Sequence, residues 1–383
     1  MQFEFATAAR IVFGSGVAEQ LPGVARKFGP RLLVVTGSSR NRFVVLLDGL
    51  REAGLEISLF SVPGEPTLEN VREGAALARD SADVIVGLGG GSAIDAAKAI
   101  AALAANSGEP LDYLEVIGQG RPLENDPLPW IAVPTTAGTG AEVTRNAVLG
   151  SPEHGVKASL RSRRTLAKAA LVDPDLTLGL PPEITAYTGL DAFTQLLEPL
   201  VSRRANPMTD QFCLEGLRRV RLSLLRAFRQ GTDGDARASM SFASLLGGLA
   251  LANAGLGVMH GFAAPLGGML HAPHGAIIAA LLPHGIEINI QALRSRAPTS
   301  DALARYHQAA CLLTGDPHAR AEDVTAWVAF LCGELGVLGL RALGLDPARI
   351  PELVDKAARA SSMQANPIPL TREELIAIAE RAL

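Results

Sequence analysis

DVIVGLGGGSAIDAAKAIAALAA (residues 83–105) decides the fold. Asp83 to Leu88 is a short apolar run, the pattern of a strand buried on both faces. Gly89-Gly90-Gly91 ends it, and Ile94 to Ala105 follows as an Ala-rich helix. Strand, glycine turn and helix in this order make an anion site. Glycines let the backbone approach a phosphate, and a helix N-terminus supplies unpaired N–H groups and a positive dipole end. Ser92 suits the N-cap, with Asp95 and Lys98 just beyond it. An ordinary tight turn uses the same residue types, and the pattern is neither GxGxxG nor a Walker A loop. The motif alone therefore names no ligand.

Working outward, RLLVVT (31–36) reads as a strand that runs into Gly37-Ser38-Ser39. Phe43–Ala53 reads as a helix, Glu56–Phe60 as a strand, Leu68–Ser81 as a helix, and Trp130–Val133 as a strand closed by Pro134. This alternation predicts a parallel sheet with helices on both faces. A last strand, Ala169–Val172, meets turn chemistry at Asp173-Pro174. Beyond it, Glu183–Val201, Met208–Arg229, Ala236–Ala254, Phe262–Leu270, Asp301–Leu313, Ala321–Leu335, Pro351–Ala360 and Arg372–Ala382 have helical periodicity. The expected organisation is an α/β domain over residues 1–174 and an all-helical domain over 175–383, with no internal repeat.

Composition narrows the function. The 383 residues carry a net charge of −4, which offers no electrostatic footprint for nucleic acid or an anionic membrane. At 48% hydrophobic and 19% charged the chain is not disordered. Aromatics at 4% leave Ala, Leu and Val to build the core, which favours closely packed helices. Cys213, Cys311 and Cys332 lie far apart and form neither a disulfide framework nor a CxxC site, so an intracellular, cytoplasmic protein is expected. The opening MQFEFATAAR lacks the pattern of a signal peptide, and the longest apolar run, Ala276–Pro283, is too short to span a bilayer.

Two further clusters carry chemistry. PTTAGTGAEVT (134–144) follows a strand and offers threonines and glycines to phosphate, ribose or an amide. Open α/β sheets bind ligands at such strand ends. In the second half, Asp191 and Gln195 are four apart on one helical face, and His260 and His274 fall in GVMHGFAAPLGGMLHAPHG (257–275). A carboxylate and two imidazoles suit a divalent metal with an open position. The alternative is a buried Asp paired with a core His. His271 and His284 read as supporting residues; His154, His307 and His318 read as surface residues.

These pieces together resemble the group III, iron-dependent alcohol dehydrogenases. The resemblance rests on GGGSAIDAAKAIA (89–101), PTTAGTGAEVTRNAVL (134–149), GLDAFTQLLEPLVSRRANPMTD (189–210) and HGFAAPLGGMLHAPHGAIIAALLPH (260–284), in family order and spacing. It extends from FGSG (13–16) to His284, and weakly to the end. It implies a Rossmann-like α/β domain for NAD or NADP, an all-helical domain, and a catalytic metal, Fe2+ or Zn2+, in the cleft between them. By the same resemblance Gly89, Gly90, Gly91 and Ser92 hold the pyrophosphate and Asp95 supports the loop. Thr135, Thr136, Thr139 and Thr144 line the cofactor, and Lys157 lies near the nicotinamide ribose. The metal maps to Asp191, Gln195, His260 and His274.

The implied reaction is hydride transfer between NAD(P)(H) and a small alcohol or aldehyde whose oxygen the metal polarises. His271 is a candidate proton relay, and Asn146, Leu251 and Phe262 are candidates for the substrate wall. A homodimer or higher homo-oligomer is expected, with no nucleic-acid or membrane partner. Two positions depart from the family: Gln195 stands where most members have His, and Ala264 where a second His is common. NAD-preferring relatives often carry Asp at the position of Gly37. Here Ser38, Ser39, Arg40 and Arg42 could contact a 2′-phosphate, so the preference leans to NADP(H) or is relaxed. A dehydroquinate-synthase-type lyase needs a basic cluster that the helical half lacks. A metal-free reductase of the maleylacetate type departs from Asp at position 191.

Overall fold

The computed structural model describes residues 2–38, 40–270 and 272–383. Ser39 and His271 lie outside the described residues, as does the side chain of Arg40. Two compact units form. One comprises Ala6–Thr136 and Gly140–Leu178; the other comprises Gly179–Leu383, with Ala137–Thr139 and the residues through Phe5.

The first unit is α/β. Its strands are β1 (Ile11–Phe13), β2 (Arg31–Thr36), β3 (Glu56–Ser61), β4 (Val84–Gly89), β5 (Trp130–Pro134), β6 (Asn146–Ser151), β7 (Val156–Arg161) and β8 (Ala169–Val172). Its helices are α1 (Leu21–Ala25), α2 (Val44–Glu52), α3 (Leu68–Ser81) and α4 (Gly91–Ala104). Six strands make a sheet in the order β1-β8-β5-β4-β2-β3, and every pairing in it is parallel. Strand alternation explains the two covered faces. Val84, Val86 and Leu88 join Leu32 and Val34 in a core with Leu21, Leu47 and Leu50 of α1 and α2. The intervening Gly87 and Gly89 face α4, where a Cβ on Gly89 would lie 2.7 Å from the Ala93 Cβ. Small residues on both sides let α4 sit close to the sheet. The chain runs from β2 outward to β3 and returns to β4 on the other side of β2, so the strand order reverses between β2 and β4. Ligands of such sheets bind at that reversal.

One expectation is corrected and one unassigned stretch is filled. The helix after the glycine turn begins at Gly91, a turn early, so its N-cap is Gly90 and not Ser92. Residues 146–161, to which the sequence pattern assigned no element, form the antiparallel hairpin β6–β7.

The second unit is helical: α5 (Pro182–Val201), α6 (Pro207–Arg229), α7 (Gly234–Ala254), α8 (Val258–Met269), α9 (His274–Arg296), α10 (Asp301–Thr314), α11 (Asp323–Glu334), α12 (Ile350–Ala357) and α13 (Arg372–Arg381). From Gly189 to Val201 every residue of α5 is buried. α7 and α8 are bent by 98° across a short break, which swings α8 into a new direction. The 23-residue α9 corrects the expectation drawn from short apolar runs. By length and composition it could cross a membrane, but 78% of its most apolar window is buried inside the protein, as in a core helix. All three cysteines are free, with Cys213 and Cys332 buried.

Candidate active site

On α5, Asp191, Gln195 and Glu198 follow at i, i+4 and i+7, which puts them on one helical face. All three are buried. The first turn of α8 carries His260, and α9 begins with His274. A glycine makes the last approach possible: a Cβ on Gly275 would lie 2.5 Å from the Tyr187 carbonyl oxygen of α5. The α9 start thus rests directly on the helix that carries Asp191.

One ligand atom each from Asp191, His260 and His274 lie within 4.8 Å of one another. His260 Nε2 is 3.3 Å and His274 Nε2 3.8 Å from Asp191 Oδ1. Yet Asp191 Oδ1, His260 Nε2 and the neighbouring Gln195 Oε1 are buried without a hydrogen-bond partner among the described residues. Buried polar atoms are nearly always paired, and three such orphans in one place call for a missing partner. The rest of His260 is fixed: its Nδ1–H donates to Glu198 Oε2 at 2.7 Å, while Glu198 Oε1 accepts the Met259 N–H at 2.8 Å. With Nδ1 so engaged, Nε2 faces the cluster.

Electrostatics agree. Burial opposes ionisation of Asp191, but the two imidazoles and the Gln195 amide together hold its carboxyl below the usual range. Burial pulls the His260 imidazole down, and Glu198 and Asp191 outweigh it, pushing it up to about 9. The cluster is therefore a place for positive charge, whether a proton or a divalent ion. One carboxylate, two imidazoles and an amide oxygen form a donor set that fits such an ion.

In the α/β unit the structure brings the strand ends together. Thr135 N–H donates to Gly89 O at 2.9 Å. A Cβ on Gly90 would lie 3.3 Å from Thr136 Oγ1, and one on Gly89 would lie 3.5 Å from Gly37 N. Gly37, Gly89, Gly90, Thr135 and Thr136 are thus neighbours. No side chain caps the start of α4, so the amides after Gly90 keep their capacity for an anion. Thr139 groups with the helical unit.

The other residues singled out in the sequence each have their own surroundings. Lys98 is turned inward and is wholly buried, and the Thr144 hydroxyl both accepts from it at 3.0 Å and donates to Ala141 O at 3.1 Å. Asp95 accepts the Val148 N–H at 3.0 Å. Lys157 on β7 pairs with Glu65. Arg42 donates to the backbone oxygens of Leu176 and Leu178, which takes it out of the set expected to meet a 2′-phosphate. Ser38 is exposed. Asn146 opens β6, Leu251 is half-buried on α7, and Phe262 is fully buried in the helical core. His284 is half-buried, while His154, His307 and His318 are exposed. Glu198 is the residue that the motif reading missed; its signal was the third place in the 191, 195, 198 series.

Residues 8–174 match the family described as iron-containing alcohol dehydrogenase, and residues 185–383 match the C-terminal domain of the Fe-containing alcohol dehydrogenase family. Alcohol dehydrogenase 4 of Saccharomyces cerevisiae is 34% identical over 87% of this chain and 85% of its own length. A crystal structure of 1,3-propanediol oxidoreductase superposes with a TM-score of 0.92 at 32% identity, covering all of both chains. Sulfoacetaldehyde reductase from Bifidobacterium kashiwanohense, solved in complex with NAD+, gives a TM-score of 0.86 at 27% identity over 100% of this chain and 99% of its own. Paired with the clustered Asp191, His260 and His274 on a helical unit and the glycine turn of a parallel sheet, these likenesses mean that the chain belongs to the iron-containing alcohol dehydrogenase family, oxidoreductases that act on alcohols and aldehydes.

Proposed function

We propose that the protein transfers a hydride between NAD(P)(H) and a small alcohol or aldehyde, using a divalent metal, Fe2+ or Zn2+, held by Asp191, His260 and His274. The observation that carries this reading is the set of buried, unpartnered ligand atoms on Asp191, Gln195 and His260. A bound ion would supply Lewis-acid polarisation of the substrate oxygen, and the nicotinamide would accept or donate the hydride. The chain's own residues do the rest. Asp191 contributes the negative charge, Glu198 holds the His260 ring in one orientation, and Gln195 offers a neutral and weaker oxygen. On the α/β unit, the amides after Gly90 face a diphosphate, and Thr135 and Thr136 border it. The relative solved with NAD+ supports a nicotinamide dinucleotide as the ligand.

Elemental analysis of purified protein, with a scan of aldehydes against NADH and NADPH, tests this. Failure to bind either cofactor, or an absence of transition metal in active protein, refutes it. Cofactor preference follows from Gly37: no carboxylate stands there to repel a 2′-phosphate, so NADPH is accepted alongside or ahead of NADH. Gly37→Asp should shift kcat/KM toward NADH; a parent already strongly selective for NADH contradicts the argument.

A further inference from the structure

Lys98 has no exposure, although it carries one of the costliest side chains to bury. Its Nζ lies 3.3 Å from Asp95 Oδ1, 3.0 Å from Ala141 O, 3.0 Å from Thr144 Oγ1 and 2.6 Å from Asn146 O. An ammonium has three protons for these four acceptors. Three of the acceptors belong to residues 141–146, the stretch that leads out of the threonine loop into β6. Asp95 adds a second tie, since its Oδ2 accepts the Val148 N–H at 3.0 Å. Lys98 itself stands on α4, about 10 Å along the helix from Gly91. The threonine loop is tied at its other end as well, where Thr135 N–H meets Gly89 O.

We infer that Lys98 is a positioning residue for cofactor binding: its ammonium clamps the loop after β5 onto the helix that starts at the glycine turn, so that two loops meet a dinucleotide as one preformed surface. This rests on the proposed reading of the glycine turn as the diphosphate site. An apolar residue of similar length would fill the same space more cheaply, since an uncompensated buried charge is costly and a compensated one gains little over a hydrophobic replacement. What Met in this place could not do is draw in three oxygens from a loop remote in sequence. Preformed loops raise affinity by removing the ordering cost that the ligand would otherwise meet.

The test compares ligands of two sizes on parent and Lys98→Met protein. On the proposed reading ADP reaches the glycine turn and the Thr135–Thr136 end of the loop, whereas NADH and NADPH also reach the part that Lys98 holds, residues 141–146. The variant should weaken the dinucleotides about tenfold or more, the scale of a lost charge-assisted hydrogen bond, and should leave ADP nearly untouched. In steady state, KM for the dinucleotide should rise while kcat at saturation changes little. Equal weakening of ADP and the dinucleotides means that Lys98 only stabilises the unit, and overturns the inference; so does no weakening of either. Thr144→Val removes one acceptor and should show the same selectivity at smaller size; it carries the test where Lys98→Met does not fold. A parent that binds neither ADP nor a dinucleotide removes the glycine-turn reading itself. A parent that binds both, with variants that match it, removes the role of Lys98 alone.

Discussion

Asp191 in the helical unit and Glu142 in the α/β unit are both buried carboxylates, and their surroundings drive them in opposite directions. Two imidazoles and an amide hold Asp191 ionised against the cost of burial. Around Glu142 burial dominates; its own backbone N–H and the charge of Lys98 offset it only in part, and the carboxyl is pushed up to about 7. The helical unit thus keeps a negative charge at a place that suits a cation. The α/β unit, whose proposed ligand is a phosphate, presents backbone amides and buries its carboxylate near neutrality. One site is built from side chains that must be aimed, the other from backbone that must be bared.

The sharpest way to break this contrast is to remove an aimed side chain. His260→Ala should abolish stable metal binding and lower kcat/KM by several kcal/mol of transition-state stabilisation, on the order of 10³-fold. NADH or NADPH affinity should survive, because no part of the glycine turn is touched. Loss of both bindings in a folded variant would show that the two sites are not separable.

Glu142 offers the next largest effect. Its folded value of about 7 exceeds the ordinary 4.5, so the folded state binds the proton more tightly. Stability from this group is fully present below pH 4.5 and is lost as pH rises through about 7. The difference corresponds to roughly 3 kcal/mol at most. Glu142→Gln should remove that part of the pH dependence and make the protein more stable above neutrality. Denaturant melts across this window check it, and identical pH profiles for parent and variant would falsify the reading.

Glu198→Gln probes how far aiming matters without deleting a ligand. Loss of such a supporting carboxylate lowers metal affinity about 10–100-fold. Competition with a chelator measures it, and an unchanged affinity makes Glu198 a mere packing group. The smallest change is expected of Gln195→His, which replaces a neutral oxygen with imidazole and should raise metal occupancy a few-fold. Full occupancy in the parent, unchanged in the variant, removes the argument about ligand strength.

The contrast also governs what a reader of the sequence can see. A backbone-built site advertises itself locally, and Gly89-Gly90-Gly91 after an apolar run was legible at once. Of the side-chain site, Asp191, Gln195, His260 and His274 were visible as residue types at suggestive spacings. Glu198 was not, because an acidic residue on a helix is ordinary until its partner, 62 residues away, is known. Lys98 gave no sign of its role for the same reason: a lysine on a helix is ordinary, and only the fold turns it toward Ala141, Thr144 and Asn146. The helix α9 escaped notice because it is apolar nearly all round and interrupted by Gly275, Pro283 and Gly285, which erases the one-sided periodicity of a surface helix. The hairpin β6–β7 was hidden by its half-buried, polar composition within a stretch that begins as loop.

The three imidazole and carboxylate groups come from α5, α8 and α9, spread between residues 191 and 274. No short segment of the emerging chain contains the whole set. During synthesis, an ion that needs all three has nothing to grip until α9 has left the ribosome and docked on α5. An ion at the proposed site would therefore arrive only after α5, α8 and α9 have come together, with Asp191 already buried beside the imidazoles and the Gln195 amide. On the proposed metal-dependent reading, a cell short of metal would accumulate finished but idle protein, and activity would report metal supply rather than the number of chains made.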